Sequence, residues 1–142
     1  MFRRIYLGGT FDCLHTGHLN LFKAARTKAW EVVVGVNTDA FASRYKRRPI
    51  VPFEDRIAVL SHCRLVDHVF VNIGDEDSRR AIIGSEADCI GHGDDWTGPA
   101  LMKQMGFDEV WLRVHNISMV YLPYTKGISS TDILRRAKEI VI

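Results

Sequence analysis

Short apolar runs rich in β-branched residues recur along the chain, at Ile5-Tyr6-Leu7, Val32-Val33-Val34-Gly35-Val36, Val69-Phe70-Val71 and Cys89-Ile90. Runs without polar alternation predict strands buried on both faces, the habit of a parallel sheet. Between them the period changes. Leu19, Leu21, Phe22, Ala25 and Ala29 follow helical spacing, as do Ile57 and Leu60 and, less regularly, Ala81, Ile82 and Ile83, while Ile133, Leu134 and Ala137 mark a last helix. Strand alternating with helix predicts an α/β domain: a single Rossmann-like, doubly wound parallel sheet with helices on both faces and right-handed crossovers. Such sheets bind ligands beyond the carboxyl ends of their strands, at a switch point. The segment from Ser43 to Pro52, which clusters Arg44, Lys46, Arg47 and Arg48 before a proline-led helix, reads as a mobile basic loop. From Gly98 to Leu122 the pattern predicts a short helix around Leu101 to Met105 and strand-like pieces at Val110 to Val114 and Met119 to Leu122.

Composition narrows the class without changing this picture. With 142 residues, 46% hydrophobic and 25% charged, one domain spanning residues 1–142 is expected. A formal charge of +2 is too small to argue for a nucleic-acid or membrane surface, so any affinity for phosphate must be local. No apolar run approaches the roughly 20 residues of a membrane span. Arg3 and Arg4 precede a strand-like segment and not the longer apolar stretch of a secretory signal, which makes a cytoplasmic location the expectation. Cys13, Cys63 and Cys89 are odd in number and far apart, which argues against a disulfide framework and against a zinc ribbon.

The candidate chemistry begins where the first strand ends, at Gly8-Gly9-Thr10-Phe11-Asp12-Cys13-Leu14-His15-Thr16-Gly17-His18. A dinucleotide-binding turn would show G-x-G-x-x-G here, and this one does not. Its glycines still permit close backbone approach, and two histidines stand three apart at a helix start. Free backbone N–H groups and the positive end of the helix dipole favour an anion there, and imidazoles beside them can donate to phosphate oxygens. A zinc site is a poorer account, since neither nearby cysteine ligands nor an H-E-x-x-H pattern is present.

Thr10, Phe11, Asp12, His15, Gly17 and His18 match T-F-D-x-x-H-x-G-H position by position, and the chain thereby resembles the nucleotidyltransferase superfamily of cytidylyltransferases and pantetheine-phosphate adenylyltransferase. The resemblance implies that His15 and His18 bind a nucleoside triphosphate and stabilise the transition state, without a covalent intermediate. Two further stretches are similar to the glycerol-3-phosphate cytidylyltransferases. Gly93-Asp94-Asp95-Trp96 follows a strand, and in that family G-D-D-W lines the nucleotide pocket, which favours cytidine over adenosine. Alone it would read as a polar turn capping a helix. Gly127-Ile128-Ser129-Ser130-Thr131 leads into the last helix, where the family's equivalent holds the triphosphate with hydroxyls and amides.

From this resemblance the nucleotide is expected on Gly9, Thr10, Phe11, Gly17, Gly93, Asp94, Asp95, Trp96, Ile128, Ser129, Ser130 and Thr131. Lys46 and Arg47 lie where the family has substrate-binding lysines and join the histidines as expected catalytic residues. Glu54-Asp55-Arg56 matches an E-x-R element, and Arg56, whose planar fork can hold two oxygens, is an expected acceptor ligand together with Asp12, Tyr124 and Lys126. Two departures bear on the acceptor. Tyr124 stands where the family has arginine, Lys126 replaces an acidic residue, and the stretch from Trp96 to Tyr124 is longer than the family's by about a short helix or strand.

The implied reaction is transfer of CMP from CTP, carried with Mg2+, to a small phosphorylated alcohol, first of all glycerol 3-phosphate, with release of pyrophosphate. A homodimer is expected on the same grounds. The alternatives are an adenylyltransferase or a cytidylyltransferase acting on another phosphate or phosphonate, and a nucleotide-binding module without turnover.

Overall fold

A computed structural model describes residues 1–140; the last two residues of the expected domain lie outside the described residues. Five strands, β1 (Phe2–Gly9), β2 (Ala29–Val36), β3 (His68–Val71), β4 (Cys89–Gly93) and β5 (Ser118–Leu122), form one all-parallel sheet in the order β3-β2-β1-β4-β5. The chain winds outward from β1 first to one edge and then to the other, so the switch point lies between β1 and β4. There the ladder is short, with Ile5 opposite Cys89 and Tyr6 opposite Ile90. Beyond those pairs both strands continue into glycines, Gly8-Gly9 and Gly91, and a cleft opens at their carboxyl ends.

Alternation of side chains along β1 and β2 divides the core into two layers. Ile5, Leu7, Val32 and Val34 pack with Phe22 and Ala25 of α1 (Thr16–Arg26) and Leu60 of α3 (Phe53–Ser61). Tyr6, Val33 and Ile90 face the other way. They meet Ala81 and Ile82 of α4 (Arg79–Gly84), Met102 of α5 (Pro99–Met105) and Leu112 of α6 (Glu109–Val114). The short α2 (Asp39–Tyr45) follows β2, and α7 (Ser130–Glu139) ends the described chain.

The structure corrects several expectations. Ala29 belongs to β2, because α1 stops at Arg26. β3 is an edge strand with His68 and Val71 exposed, so it is not buried on both faces. Val110 to Val114 is helical: the Asp108 carboxylate caps the turn by accepting from Trp111 N at 2.9 Å, Leu112 is buried, and Val110 and Val114 face solvent. Local capping here outweighs the β-branched composition. Residues 43–52 are not a free loop. α2 runs through Tyr45, and the remainder is tied to Asp12 as described below.

Candidate active site

The turn from β1 to α1 is held by its own histidines. His15 is the N-cap of α1, and its Nδ1 accepts the Gly17 amide at 3.0 Å. His18, three residues on, returns the bond: its Nδ1 accepts the His15 amide at 3.2 Å. This is a capping box built from two imidazoles, which stack with centroids 3.8 Å apart. An Nδ1 that accepts from an amide carries no proton, so each neutral ring holds its proton on Nε2 and offers Nε2–H as a donor. Burial lowers the His15 pKa. Burial and the neighbouring His15 push that of His18 down to about 4, and both rings are neutral donors near pH 7.

Backbone strain is concentrated just before this cap. Phe11 and Cys13 adopt φ of 54° and 50°, in the left-handed region that costs a non-glycine residue on the order of 1 kcal/mol or more. The Phe11 ring packs against those of His18 and Phe22, which holds the turn in place. Gly17 is required for space: a Cβ there would lie 2.8 Å from Cε1 of His15 and displace the capping ring.

Two cavities open at this turn. One, of about 270 Å³, is walled by His15, Gly17 and His18, by Gly93 and Asp95 after β4, by Tyr124, and by Ile128, Ser129, Ser130 and Thr131 at the start of α7. The N-termini of α1 and α7 thus both border it, the second capped by Ser129 Oγ accepting from Asp132 N at 3.0 Å. The other, of about 320 Å³, is walled by Gly9, Thr10, Phe11 and Asp12, by Asn37 and Asn72 after β2 and β3, by Phe41 and Tyr45 of α2, by Arg47, and by Gln104 of α5. Gly8, His18, Lys46, His92 and Ser130 border both. Most of the residues expected to act together are therefore brought together, with His18 and Lys46 at the junction.

Other expected residues are placed elsewhere. Arg56 does not face the cleft: it is 2% exposed and every polar edge is engaged within the protein. Its Nε donates to the Val51 carbonyl at 2.9 Å, Nη1 to the carbonyls of Thr10 and Asn37 at 2.7 and 2.9 Å, and Nη2 to Asp39 Oδ1 at 2.7 Å. It fastens the turn, the end of β2 and the entry to α3 to one another. Asp12 borders the second cavity, but its carboxylate is 3% exposed and accepts from the amides of Ile50 and Val51 and from Arg47 Nη1. Burial alone would raise its pKa; those two amides and the guanidinium outweigh it and hold the carboxyl below the usual range. Asp12 pins the basic segment over the cleft. Asp94 is likewise engaged, accepting the Tyr124 amide at 3.0 Å, and neither it, Trp96 nor Lys126 borders either of these two cavities. Gly9, Thr10 and Phe11 line the second cavity and Tyr124 the first.

Sequence reading missed His92, Asn37, Asn72 and Gln104. His92 lies at the carboxyl end of β4, where the switch-point rule alone could have found it. Its Nδ1 donates to the Gly93 carbonyl at 2.8 Å, so the neutral ring presents Nε2 as an acceptor, the opposite tautomer to the histidine pair.

Comparison with known proteins places the chain in a family. The family model described as cytidylyltransferase-like matches residues 6–136. The chain belongs to that family. Within it, the chain is 34% identical over 131 residues to the glycerol-3-phosphate cytidylyltransferase of Bacillus subtilis, covering 92% of this chain and 94% of that protein. It is 40% identical over 135 residues to the bifunctional protein HldE of Streptomyces coelicolor, but spans only 28% of that protein's length. Among solved structures, a lipopolysaccharide core biosynthesis protein from Thermoplasma volcanium superposes with a TM-score of 0.71 at 24% identity, over 89% of this chain and all of that one, which shows a common fold.

Proposed function

We propose that this member of the family transfers CMP from CTP to a small phosphorylated alcohol, first of all glycerol 3-phosphate, yielding CDP-glycerol and pyrophosphate. One observation carries the reading: two cavities meet at His18, whose capping bond leaves its proton on Nε2, and at Lys46, with the second capping imidazole, His15, bordering one of them. The relative from B. subtilis, matched over nearly its whole length, supports the choice of both substrates.

In this reading the triphosphate occupies the cavity at the N-termini of α1 and α7, whose amides and positive dipole ends suit an anion. The acceptor occupies the cavity beneath Arg47, with its phosphate at the junction. An acceptor phosphate oxygen attacks the α-phosphorus in line; the new P–O bond forms as the bond to the β-phosphate oxygen breaks, and pyrophosphate leaves with the electron pair. The acceptor phosphate is largely ionised near neutral pH, so no base is required. His15, His18 and Lys46 donate to oxygens on which charge accumulates, the kind of preorganised stabilisation that dominates phosphoryl-type transfer. Magnesium enters with CTP as part of the substrate and neutralises phosphate charge.

A homodimer belongs to the same reading. It is supported by α7, whose Ile133 and Leu134 are only half-buried while its Ala137 and the following Ile140 are exposed, leaving an apolar stripe for a second copy. A cytoplasmic location follows from the nucleotide substrate. Among the described residues no helix is long and apolar enough to cross a membrane. Pyrophosphate release on mixing the protein with MgCTP and glycerol 3-phosphate tests the activity, and its absence with every phosphorylated acceptor would overturn it.

A further inference from the structure

The imidazole of His92 stands where the two cavities meet, and the sheet fixes the side to which it points. Side chains alternate along a strand. Ile90 of β4 packs in the layer of Tyr6 and Met102, and a Cβ on Gly91 would meet Ile5, Leu7 and Leu122 of the other layer, so His92 points with Ile90 toward α5 and the acceptor cavity. On β1, Gly8 stands two residues beyond Tyr6 as His92 stands two beyond Ile90, its pair, so no side chain of that strand covers the ring. On β5 its partner is Tyr121, whose hydroxyl is engaged with the Gly98 amide at 3.0 Å.

Nδ1 is the protonated nitrogen, because a carbonyl can only accept and that of Gly93 lies 2.8 Å away. Nε2 therefore carries the lone pair. It has no partner among the described residues and is not one of their enclosed polar atoms, so it is open to a ligand's donor. The nitrogen groups beside it at the junction, His18 Nε2–H and the Lys46 ammonium, are donors that suit phosphate oxygens; a bare imidazole nitrogen repels those oxygens and needs a proton-bearing group. An ionised phosphate has none, so the match lies on the rest of the acceptor. An ammonium is a poor candidate. Lys46 and Arg47 border the same cavity, and its two acidic residues, Asp12 and Asp75, are already paired with Arg47 and Arg44 at 2.8 and 3.3 Å, so a second cation would meet like charge. A hydroxyl donates without that cost.

We infer that His92 is a specificity-determining residue whose Nε2 accepts a hydrogen bond from the acceptor's hydroxyl nearest the phosphate, which makes the substrate class the monophosphates of vicinal diols, glycerol 3-phosphate among them. The position of that hydroxyl rests on the proposed transfer reaction, which puts the acceptor phosphate beside His18 and Lys46.

The test compares glycerol 3-phosphate with 2-hydroxypropyl phosphate, which lacks only the outer hydroxyl, and 3-hydroxypropyl phosphate, which lacks only the inner one. Wild type is expected to favour the first two over the third by about tenfold in kcat/KM. In His92→Phe that preference should shrink to about twofold or less through KM for the acceptor, and His92→Gln, whose amide oxygen reaches about as far as Nε2, should restore part of it. Nitrogen NMR of the wild type at about pH 8 does not depend on a variant folding: His92 should show a protonated Nδ1 and a bare Nε2, the reverse of His15 and His18, with Nε2 shifting on addition of 2-hydroxypropyl phosphate and not of its isomer. A wild type that treats the two isomers alike, an unchanged preference in His92→Phe, or a protonated Nε2 would overturn the inference. If no acceptor is turned over with CTP, the transfer reading fails instead. Calorimetric binding of the two isomers then decides the role of His92 by the same ratio, and equal or absent binding overturns it.

Discussion

The two cavities that meet at His18 and Lys46 are built in opposite ways. On the side of α1 and α7, the ligand-facing groups are products of backbone geometry: a strained turn, two helix starts, and imidazoles whose Nδ1 atoms are used up in capping so that only Nε2–H remains. On the side of α2 and α5, the cavity is bordered by side-chain amides from three separate segments, Asn37, Asn72 and Gln104. A general anion site can be made by local structure alone. Recognition of a particular acceptor requires atoms from distant segments, of which the buried Arg56 guanidinium ties down only the Thr10 turn and Asn37, through their carbonyls.

The largest effect expected from breaking this contrast is on the capped side. His15→Ala and His18→Ala should each lower kcat by about 10²–10³, the cost of removing one donor to the transition state. An asparagine at position 18 retains an acceptor for the His15 amide while losing Nε2–H, and its rate should remain low even where its stability is restored. Near-normal turnover in all three variants would remove the histidines from the chemistry.

Arg56→Leu strikes the element that joins the two sides. Removing one member of a buried charged network typically costs about 3–5 kcal/mol, and here three backbone carbonyls lose their donor as well. Chemical denaturation should show a loss in that range. A loss below about 1 kcal/mol together with a large rise in acceptor KM would instead place Arg56 on the substrate, as its motif suggests.

pH separates neutral from charged histidines. Because both pKa values are lowered, kcat/KM should not fall as pH rises from 6 to 8; a decline through the ordinary histidine range would mean that an imidazolium is the active form. The stability consequence has a definite sign. His18, depressed to about 4 in the folded protein from an ordinary 6.5, contributes stability that is complete above about pH 6.5 and is lost as pH falls toward 4. His18→Asn should flatten that part of the stability profile.

The smallest effect concerns Tyr124, which borders the cavity of the histidines and α7 and not that of the amides. Tyr124→Arg should therefore change KM for CTP, by a fewfold, while leaving the order of preference among acceptors as it is. A changed acceptor order would return Tyr124 to the acceptor.

What was legible in the sequence follows the same contrast. H-x-x-H after a strand and Gly-Gly places both histidines on one helix start by spacing alone, and the alternation of β-branched runs with helical periods yields the sheet. Arg56 was misread because a planar fork suits three carbonyls as well as it suits a phosphate, and only tertiary burial distinguishes them. Asn37, Asn72 and Gln104 left no signal, being single polar residues in segments without periodicity whose partners lie up to dozens of positions away. Val110 to Val114 misled because β-branched composition was visible and the weight of the Asp108 cap was not.

The central claim, that the paired histidines serve transfer of CMP to a small phosphorylated alcohol, is tested most directly by pyrophosphate release from each of the four common nucleoside triphosphates with glycerol 3-phosphate as acceptor. The proposed function predicts the highest kcat/KM with CTP and a stoichiometric CDP-glycerol product. A higher kcat/KM with ATP, or pyrophosphate release that does not depend on the acceptor, would contradict it.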